Sequence, residues 1–136
     1  MYTFQISTGL LTKDGLPFAQ AYSGCGVGKD DPGCCTAQLG TLGPGNFGPL
    51  PVGRYTIGPA SNDHPKLGPI AMPLIPDPAN EMHGRSGFFI HADSIANPGS
   101  ASEGCIVPVH GANGEPGRTM REKIAADTDR DLEVIA

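Results

Sequence analysis

Apolar and polar residues alternate in short runs along most of the chain, which is the pattern of half-buried β-strands. Residues 2–6 form the first such run, and residues 16–22 form the second, after the turn signal Asp14-Gly15. These two runs predict a hairpin at the start of the chain. Five further runs predict strands at residues 54–57, 70–74, 86–93, 105–109 and 131–135, of which 86–93 has the strongest pattern.

Two segments depart from the strand pattern. Residues 23–49 contain eight glycines and three cysteines without periodicity, and they predict a long loop or an insertion. Residues 116–127 predict the one helix, because Pro116 suits a first helical turn and Met120 lies four residues before Ile124 on one face. The predicted fold class is mainly β, with one short helix near the C-terminus.

The composition indicates a folded domain and not a disordered chain. Glycine (20) and proline (14) make up a quarter of the 136 residues, but they fall between apolar segments, as expected of strands joined by tight turns. The length suits one hydrophobic core, and no internal repeat or boundary divides the chain. We therefore expect a single domain over residues 1–136.

Charge and hydropathy argue against several classes of partner. Nine Lys and Arg against fourteen Asp and Glu give a net charge of -5, which offers no basic patch for a nucleic acid backbone. No apolar stretch is long enough to span a bilayer, and the first ten residues lack the basic and apolar regions of a secretory signal. We expect no nucleic acid partner, no membrane span and no signal peptide.

The four cysteines fall into two groups. Cys25, Cys34 and Cys35 cluster in the long loop, whereas Cys105 stands alone. The spacing of the cluster does not match the paired CxxC motifs of zinc sites, so no metal site is predicted. A disulfide between Cys25 and one of its two neighbours is expected if the protein works in an oxidising compartment.

Cys105 and His91 form the most informative pair of the sequence. His91 lies within the strongest strand segment, and Cys105 follows fourteen residues later in a Ser-x-Gly-Cys turn. A nucleophilic cysteine needs an imidazole within hydrogen-bond reach, and the resulting imidazolium lowers the pKa of the thiol. We therefore predict Cys105 as the nucleophile and His91 as its base. The plainer alternatives are a small buried cysteine and a core histidine.

The residues before Cys105 suit a sharp turn. Gly104 allows the backbone to turn tightly, so that the amides of Gly104 and Cys105 can form an oxyanion hole. Each donor of such a hole contributes about 3 kcal/mol to transition-state stabilisation. Ser102 is predicted to fix this turn or to bind substrate.

Four more polar residues near the pair are candidates for substrate binding. Asp93 is predicted to orient the histidine ring or to hold a substrate ammonium, and Arg85 to bind a substrate carboxylate in a fork geometry. His83 is either a second active-site group or a loop residue that lines the cleft, and Glu103 is predicted as a carboxylate at the rim. The remaining histidines, predicted to be solvated loop residues, are His64 and His110.

Three segments, taken in order, resemble a known family. Residues 48–59 contain GPxPxGxY, residues 85–93 read R-x-G-F-x-I-H-x-D, and residues 101–106 read A-S-x-G-C-I. This order resembles the L,D-transpeptidase-related domains that serve as antibacterial effectors of type VI secretion. The wider L,D-transpeptidase family has Ser/Thr-His-Gly-Cys at the nucleophile, so Glu103 stands where the classical enzymes have a second histidine.

The resemblance implies an L,D-transpeptidase-like β-sandwich or barrel that uses no cofactor. Cys105 would attack the bond between meso-diaminopimelate and D-Ala in a peptidoglycan tetrapeptide stem, and water or an amine would resolve the thioester. The carbonyl of Ala92 would supply the family's third catalytic contact. The resemblance also implies delivery by a secretion system to the periplasm of a target bacterium, and an immunity protein in the producing cell.

Two other functions fit the same residues. One is a wall-binding module in which the Cys-His pair has lost its activity. The other is a different cysteine peptidase or amidase of the cell wall. Those enzymes place the cysteine before the histidine, and the only histidine after Cys105 is His110, which is too close in sequence to pair easily from across a sheet.

Overall fold

Eight strands close into a barrel in the computed structural model, which describes all residues from 1 to 136. The single α-helix, α1, spans Gly117–Ala126, and two 3₁₀ turns lie in the long loop. The prediction of a mainly β fold with one short helix near the C-terminus is therefore confirmed. The strands are β1 Tyr2–Gln5, β2 Leu10–Lys13, β3 Leu16–Ser23, β4 Gly53–Ile57, β5 Met72–Pro76, β6 Phe89–Ile90, β7 Ile106–Gly111 and β8 Asp131–Ile135.

The barrel follows the order β1, β2, β3, β7, β6, β5, β4, β8 and closes between β8 and β1. Strand β1 runs parallel to β8, and β6 runs parallel to β7, whereas all other neighbours are antiparallel. Closure removes the free strand edges that otherwise attract other chains. It also places β6 in the middle of the wall, with β5 on one side and β7 on the other.

One apolar cluster of 19 buried residues fills the interior and continues under α1. Met120 and Ile124, predicted as the buried face of the helix, both belong to this cluster. Ile90 of β6 and Ile106 of β7 are paired in register and also point into it. Because side chains alternate along a strand, the residues on either side of these two isoleucines project from the opposite face of the wall.

The hairpin at the start of the chain joins different strands from those predicted. The turn at Asp14-Gly15 is present, and both residues have positive φ (50° and 81°), as a two-residue hairpin requires. It joins β2 to β3, however, and β2 also pairs with β1. The sequence of β2 begins with two adjacent leucines and lacks alternation, which explains why it was not predicted.

The strand predicted at residues 86–93 is much shorter than expected. Only Phe89 and Ile90 form β6. Gly84 and Gly87 have positive φ (70° and 79°), which breaks the extended backbone before the strand. After the strand, the amide of Ala92 turns away and donates to a loop carbonyl. The apolar run reflects burial, but most of it lies outside the hydrogen-bonded ladder.

The prediction of a long loop at residues 23–49 agrees with the structure. Besides the two 3₁₀ turns, Gly26–Gly28 and Pro32–Cys34, its only regular pairing is an isolated bridge between Cys25 and Phe47. The carboxylate of Asp30 accepts a hydrogen bond from the amide at the end of β3, which closes the first half of the loop. The loop folds back on itself and lies beside the site described below.

We predict that Asp127 stabilises the closure of the barrel. Its carboxylate accepts from Tyr2 Oη (2.7 Å) and Lys13 Nζ (2.6 Å), and these contacts, that of Lys13 first, hold its pKa well below the usual range. Asp127→Asn should lower the free energy of unfolding at pH 7 by about 1 kcal/mol. Because the pKa is depressed in the folded state, this contribution is present above the unfolded value and is lost as pH falls through the acid range.

Thermal unfolding of wild type and Asp127→Asn at pH 7 and pH 3 measures this effect. The difference between the two proteins should shrink at the lower pH. The control is Asp63→Asn, which removes an exposed carboxylate without a cationic partner. Equal stability of Asp127→Asn and Asp63→Asn at pH 7 would contradict the prediction.

Candidate active site

The parallel pair β6 and β7 places Cys105 and His91 on the same face of the barrel wall. The amide of His91 donates to the carbonyl of Ile106 at 3.2 Å, one residue beyond the bridge between Ile90 and Ile106. Since both isoleucines point into the core, Cys105 and His91 point outward as diagonal neighbours on adjacent strands. Loops cover this part of the outer face, so that Cys105 is 8% and His91 only 2% exposed.

The thiol of Cys105 is held in a neutral form. The pKa of Cys105 is raised to about 11, mainly by burial; a hydrogen bond from the backbone of Phe89 lowers it, and the nearby charge of Glu103 contributes to the rise. That bond joins the amide nitrogen of Phe89 to Cys105 Sγ at 3.3 Å. The prediction that an imidazolium lowers the thiol pKa is therefore wrong for this state, because desolvation dominates.

The imidazole of His91 has a defined tautomer. Its Nδ1 lies 2.6 Å from the carbonyl oxygen of Ala92, the residue that the resemblance indicated. A carbonyl only accepts hydrogen bonds, so Nδ1 carries the proton and Nε2 is left with its lone pair free. Burial lowers the pKa of His91, which keeps the ring neutral near pH 7. Neutral His91 can therefore accept a proton at Nε2.

The two side chains open into adjoining cavities. Cys105 lines a cavity of about 430 Å³, and His91 lines a second cavity of about 870 Å³. Lys66 and Leu67 line both, so the segment that carries them is the shared wall. No hydrogen bond joins the thiol to the imidazole in this state. Backbone pairing places the predicted nucleophile and base at the ends of two adjacent strands, and each side chain lines its own cavity.

Two serine hydroxyls fix the turn before Cys105. Ser102 Oγ accepts from the amides of Gly24 (2.8 Å) and Gly104 (3.1 Å) and donates to the carbonyl of Cys105 (2.5 Å). Ser23 Oγ donates to the carbonyl of Gly104 at 2.9 Å. Ser102 is fully buried, and its hydrogen bonds agree with the first of its two predicted roles, fixing the turn.

Gly104 is required by the shape of this turn. Its φ of 129° lies in the region that favours glycine, and an added Cβ would lie 2.5 Å from the ring of Phe88. The predicted oxyanion hole of two amides is only half available, because the Gly104 amide is already bound to Ser102. The amide of Cys105 donates no hydrogen bond within the protein and remains as one donor.

Arg85 has a different task from the predicted one. Its guanidinium donates to the carbonyls of Cys35 (2.6 Å), Pro49 (2.5 Å) and Gly48 (3.1 Å). Three backbone carbonyls therefore occupy the guanidinium donors that were predicted to bind a substrate carboxylate. Arg85 instead ties the long loop to the strand that carries the site, and its side chain lines the Cys105 cavity.

Asp93 also serves the protein framework. Its carboxylate accepts from Tyr22 Oη at 2.6 Å and from the amides of Ser94 (2.8 Å) and Gly99 (3.0 and 3.1 Å). It makes no hydrogen bond to the ring of His91, whose Nδ1 is held by a carbonyl instead. Its hydrogen bonds instead shape the loop between the histidine and the cysteine.

The two remaining candidates lie at the margin. Glu103 is exposed and lines the Cys105 cavity, which agrees with a carboxylate at the rim. His83 does not line either cavity, and its Nδ1 faces Glu81 Oε1 at 4.0 Å. His83 lies in a turn with positive φ (54°), next to Gly84 and Arg85, which line the Cys105 cavity.

The other cysteines form no site in this structure. Cys25, Cys34 and Cys35 carry free thiols, so the disulfide expected for an oxidising compartment is absent from this state. No group of three or more histidine, cysteine or acidic side chains is arranged to hold a metal ion. The chain contains no helix long and apolar enough to cross a membrane.

Comparison with known proteins gives one match. A family model described as the Tlde1 domain matches residues 18–115, which is more than half of the chain and includes both His91 and Cys105. The chain belongs to the Tlde1 domain family. This is the L,D-transpeptidase effector family of type VI secretion, so the resemblance drawn from the motifs is confirmed. No curated protein and no solved structure matches the chain significantly.

Sequence reasoning missed one histidine of this Tlde1 domain. His64, predicted as a solvated loop residue, lines the cavity of Cys105 and packs edge-on against Phe89 (5.3 Å between ring centroids). Its Nδ1 accepts from the amides of Lys66 and Leu67, each at 3.2 Å, so its proton is on Nε2. No motif marks this residue, because the contact depends on how the loop folds over β6. His110, by contrast, is exposed, as predicted, although it lies in β7 and not in a loop.

We predict that Cys105 of this Tlde1 domain reacts slowly with iodoacetamide at neutral pH. The thiolate is the reactive form, and a pKa near 11 leaves little of it at pH 8. Labelling should be about 100-fold slower than in the urea-denatured protein, whose thiol has a pKa of about 8.5. Peptide mapping by mass spectrometry separates Cys105 from the other three cysteines.

The pH dependence distinguishes a raised pKa from simple lack of access. The labelling rate of folded Cys105 should keep rising through pH 9.5, whereas the rate in the denatured protein should level off near pH 9. A rate that is already constant above pH 7 would mean a stabilised thiolate and would contradict the neutral pair described above.

Proposed function

We propose that this Tlde1 domain is a cysteine-dependent L,D-carboxypeptidase or L,D-transpeptidase that acts on the tetrapeptide stems of peptidoglycan. The observation that carries the proposal is the placement of Cys105 and His91 on one face of adjacent strands, with His91 Nε2 free to accept a proton. Membership of the family supports a peptidoglycan target in general terms. The reaction itself is inferred from the chemistry of the two side chains.

The first step follows from the neutral state of both groups. Cys105 Sγ attacks the carbonyl carbon between meso-diaminopimelate and D-Ala, and its proton passes to His91 Nε2 as the bond forms. Because the thiol pKa is about 11, the proton leaves during the attack and not before it. Substrate entry between the two cavities brings the thiol, the carbonyl and the imidazole into line.

The tetrahedral oxyanion needs hydrogen-bond donors inside the Cys105 cavity. The amide of Cys105 supplies one, since it has no partner within the protein. His64 supplies a second through Nε2, whose proton is fixed by the two amides on Nδ1. This arrangement replaces the predicted amide of Gly104 and places a histidine near the nucleophile although Glu103 occupies the classical position.

The second half of the reaction resolves the thioester. His91 gives its proton to the leaving nitrogen, the carbon–nitrogen bond breaks, and D-Ala departs with its own carboxylate. Water then attacks the thioester in hydrolysis, or the amine of a D-amino acid attacks it in exchange. His91 takes the proton of the incoming nucleophile, and the sulfur recovers it as the thiol.

The proposed biological role follows from membership of the Tlde1 domain family. The domain is delivered by a secretion system to the periplasm of a target bacterium, where it trims the donor stems used for cross-linking. The producing cell then needs an immunity protein that blocks the cleft. This account assigns the enzyme an antibacterial role and the peptide stem as its partner.

We predict that purified tetrapeptide stems lose their terminal D-Ala when incubated with the wild-type protein. Cys105→Ala and His91→Ala should each reduce the rate by at least about 1,000-fold, because the nucleophile and base act as a unit. His110→Ala is the matched control, since this histidine lies outside both cavities. Mass spectrometry of the products identifies the bond that is cut.

Each outcome of this digest has a defined meaning. Identical products from wild type and Cys105→Ala would favour the inactive wall-binding module. Loss of the whole peptide from the sugar chain would favour an amidase. Release of D-Ala in water, and its replacement when a second D-amino acid is added, would establish hydrolysis and exchange respectively.

We predict a separate effect for His64. Removal of an oxyanion donor should act mainly on the transition state, so His64→Ala should lower kcat by about 100-fold with little change in KM. His64→Gln, which keeps a donor group, should recover part of the loss. An equal fall of kcat in His64→Ala and His110→Ala, or a change in KM alone, would refute this role.

A further inference from the structure

Arg121 is a buried cation without a counterion. It lies on α1, is only 6% exposed, and makes no ion pair with any carboxylate. Its Nη1 donates to the carbonyl of Pro69, but its buried Nε has no partner at all. Buried charges in proteins are normally paired, because desolvation is costly. A guanidinium left in this state indicates a binding site for an anion.

The cavity that Arg121 lines is the one that contains His91. Lys66 and Arg118 line it as well, and the only acidic side chain of its lining is Asp93. That carboxylate is already occupied by a tyrosine hydroxyl and backbone amides. The lining of this cavity therefore has three cationic side chains and one carboxylate that is already hydrogen-bonded. This excess of positive charge occurs in a chain whose net charge is -5. The positive charge of Arg121 also contributes to lowering the pKa of His91.

The start of α1 adds to the positive character of this cavity. Gly117 and Arg118 line it, and the N-cap residue Pro116 has no side chain that could accept from the first-turn amides. Free amides at a helix N-terminus attract anions. A Cβ at Gly117 would collide with the carbonyl of Pro108, so glycine allows the helix to begin directly against β7.

We propose that this cavity binds the free α-carboxylate of the amino acid on the leaving side of the scissile bond, with Arg121 as its main ligand. The inference rests on the proposed function, because His91 must protonate the leaving nitrogen and the leaving residue must therefore lie on the His91 side. The carboxylate carbon of a terminal D-amino acid is two bonds from that nitrogen. An incoming D-amino acid in exchange carries the same group and occupies the same site.

The consequence is a requirement for a chain terminus. Arg121 can form a fork with a carboxylate, whereas an amide offers neither charge nor a second acceptor. The enzyme would then release single terminal residues and select amino acids as acceptors over simple amines. Arg121 determines this specificity and takes no part in moving protons.

The experiment compares a tetrapeptide stem with its C-terminal amide. Wild type should prefer the free acid on the order of 10- to 100-fold in kcat/KM. In Arg121→Gln this preference should fall close to unity, and Arg121→Lys should restore part of it. Arg54→Gln, at an exposed arginine on the far strand β4, is the matched control and should keep the full preference.

Thermal unfolding of each variant separates loss of folding from loss of recognition. If Arg121→Gln does not fold, Arg118→Gln on the exposed side of the same cavity provides the second measurement, with a smaller fall in preference expected. Equal cleavage of acid and amide by wild type would overturn the inference while leaving the proposed function intact. So would an unchanged preference in a folded Arg121→Gln protein.

Failure of the proposed function is recognised differently. In that case wild type cleaves neither the acid nor the amide. Calorimetric titration of Cys105→Ala with both peptides then tests the site without catalysis. Tighter binding of the acid that is lost in the Cys105→Ala, Arg121→Gln double variant supports the inference, and its absence overturns it.

Discussion

The positions of Cys105 and His91 depend on a single parallel bridge between Ile90 and Ile106. Both isoleucines point into the barrel core, so the residues next to them must point outward, and these include Cys105 and His91. A shift of one residue in this register would turn Cys105 and His91 toward the interior. Because β6 has only two residues, the bridge depends on support from outside the ladder. That support comes from two serine hydroxyls at the turn and from Arg85, whose guanidinium binds the long loop.

Burial then determines the chemistry of the pair. The loops that cover the outer face raise the pKa of Cys105 and lower that of His91, so both groups rest in their neutral forms. A neutral thiol is protected from adventitious oxidation and alkylation until a substrate arrives. The same enclosure strengthens the interaction of hydrogen-bond donors with a developing oxyanion. In the proposed mechanism, slow basal reactivity and transition-state stabilisation would therefore have one physical cause.

Basic side chains outnumber carboxylates in both cavities. The Cys105 cavity is lined by Arg85 and the rim carboxylate Glu103, the His91 cavity is lined by two arginines of α1 and Asp93, and Lys66 lines both. In a chain of net charge -5, this region is therefore locally rich in cations.

The sequence by itself determined the mainly β class, the helix with its buried Met120 and Ile124, the long loop, and the identity of the family. Alternation and turn residues are local properties, and the motif from Arg85 to Ile106 is contiguous, so all of these are readable along the chain. Only the tertiary structure decided that the Gly104 amide is bound by Ser102 Oγ, that Arg85 holds a loop, and that His64 and Arg121 line the cavities of Cys105 and His91. These depend on contacts between residues far apart in sequence and on desolvation, and neither leaves a periodic or local signal.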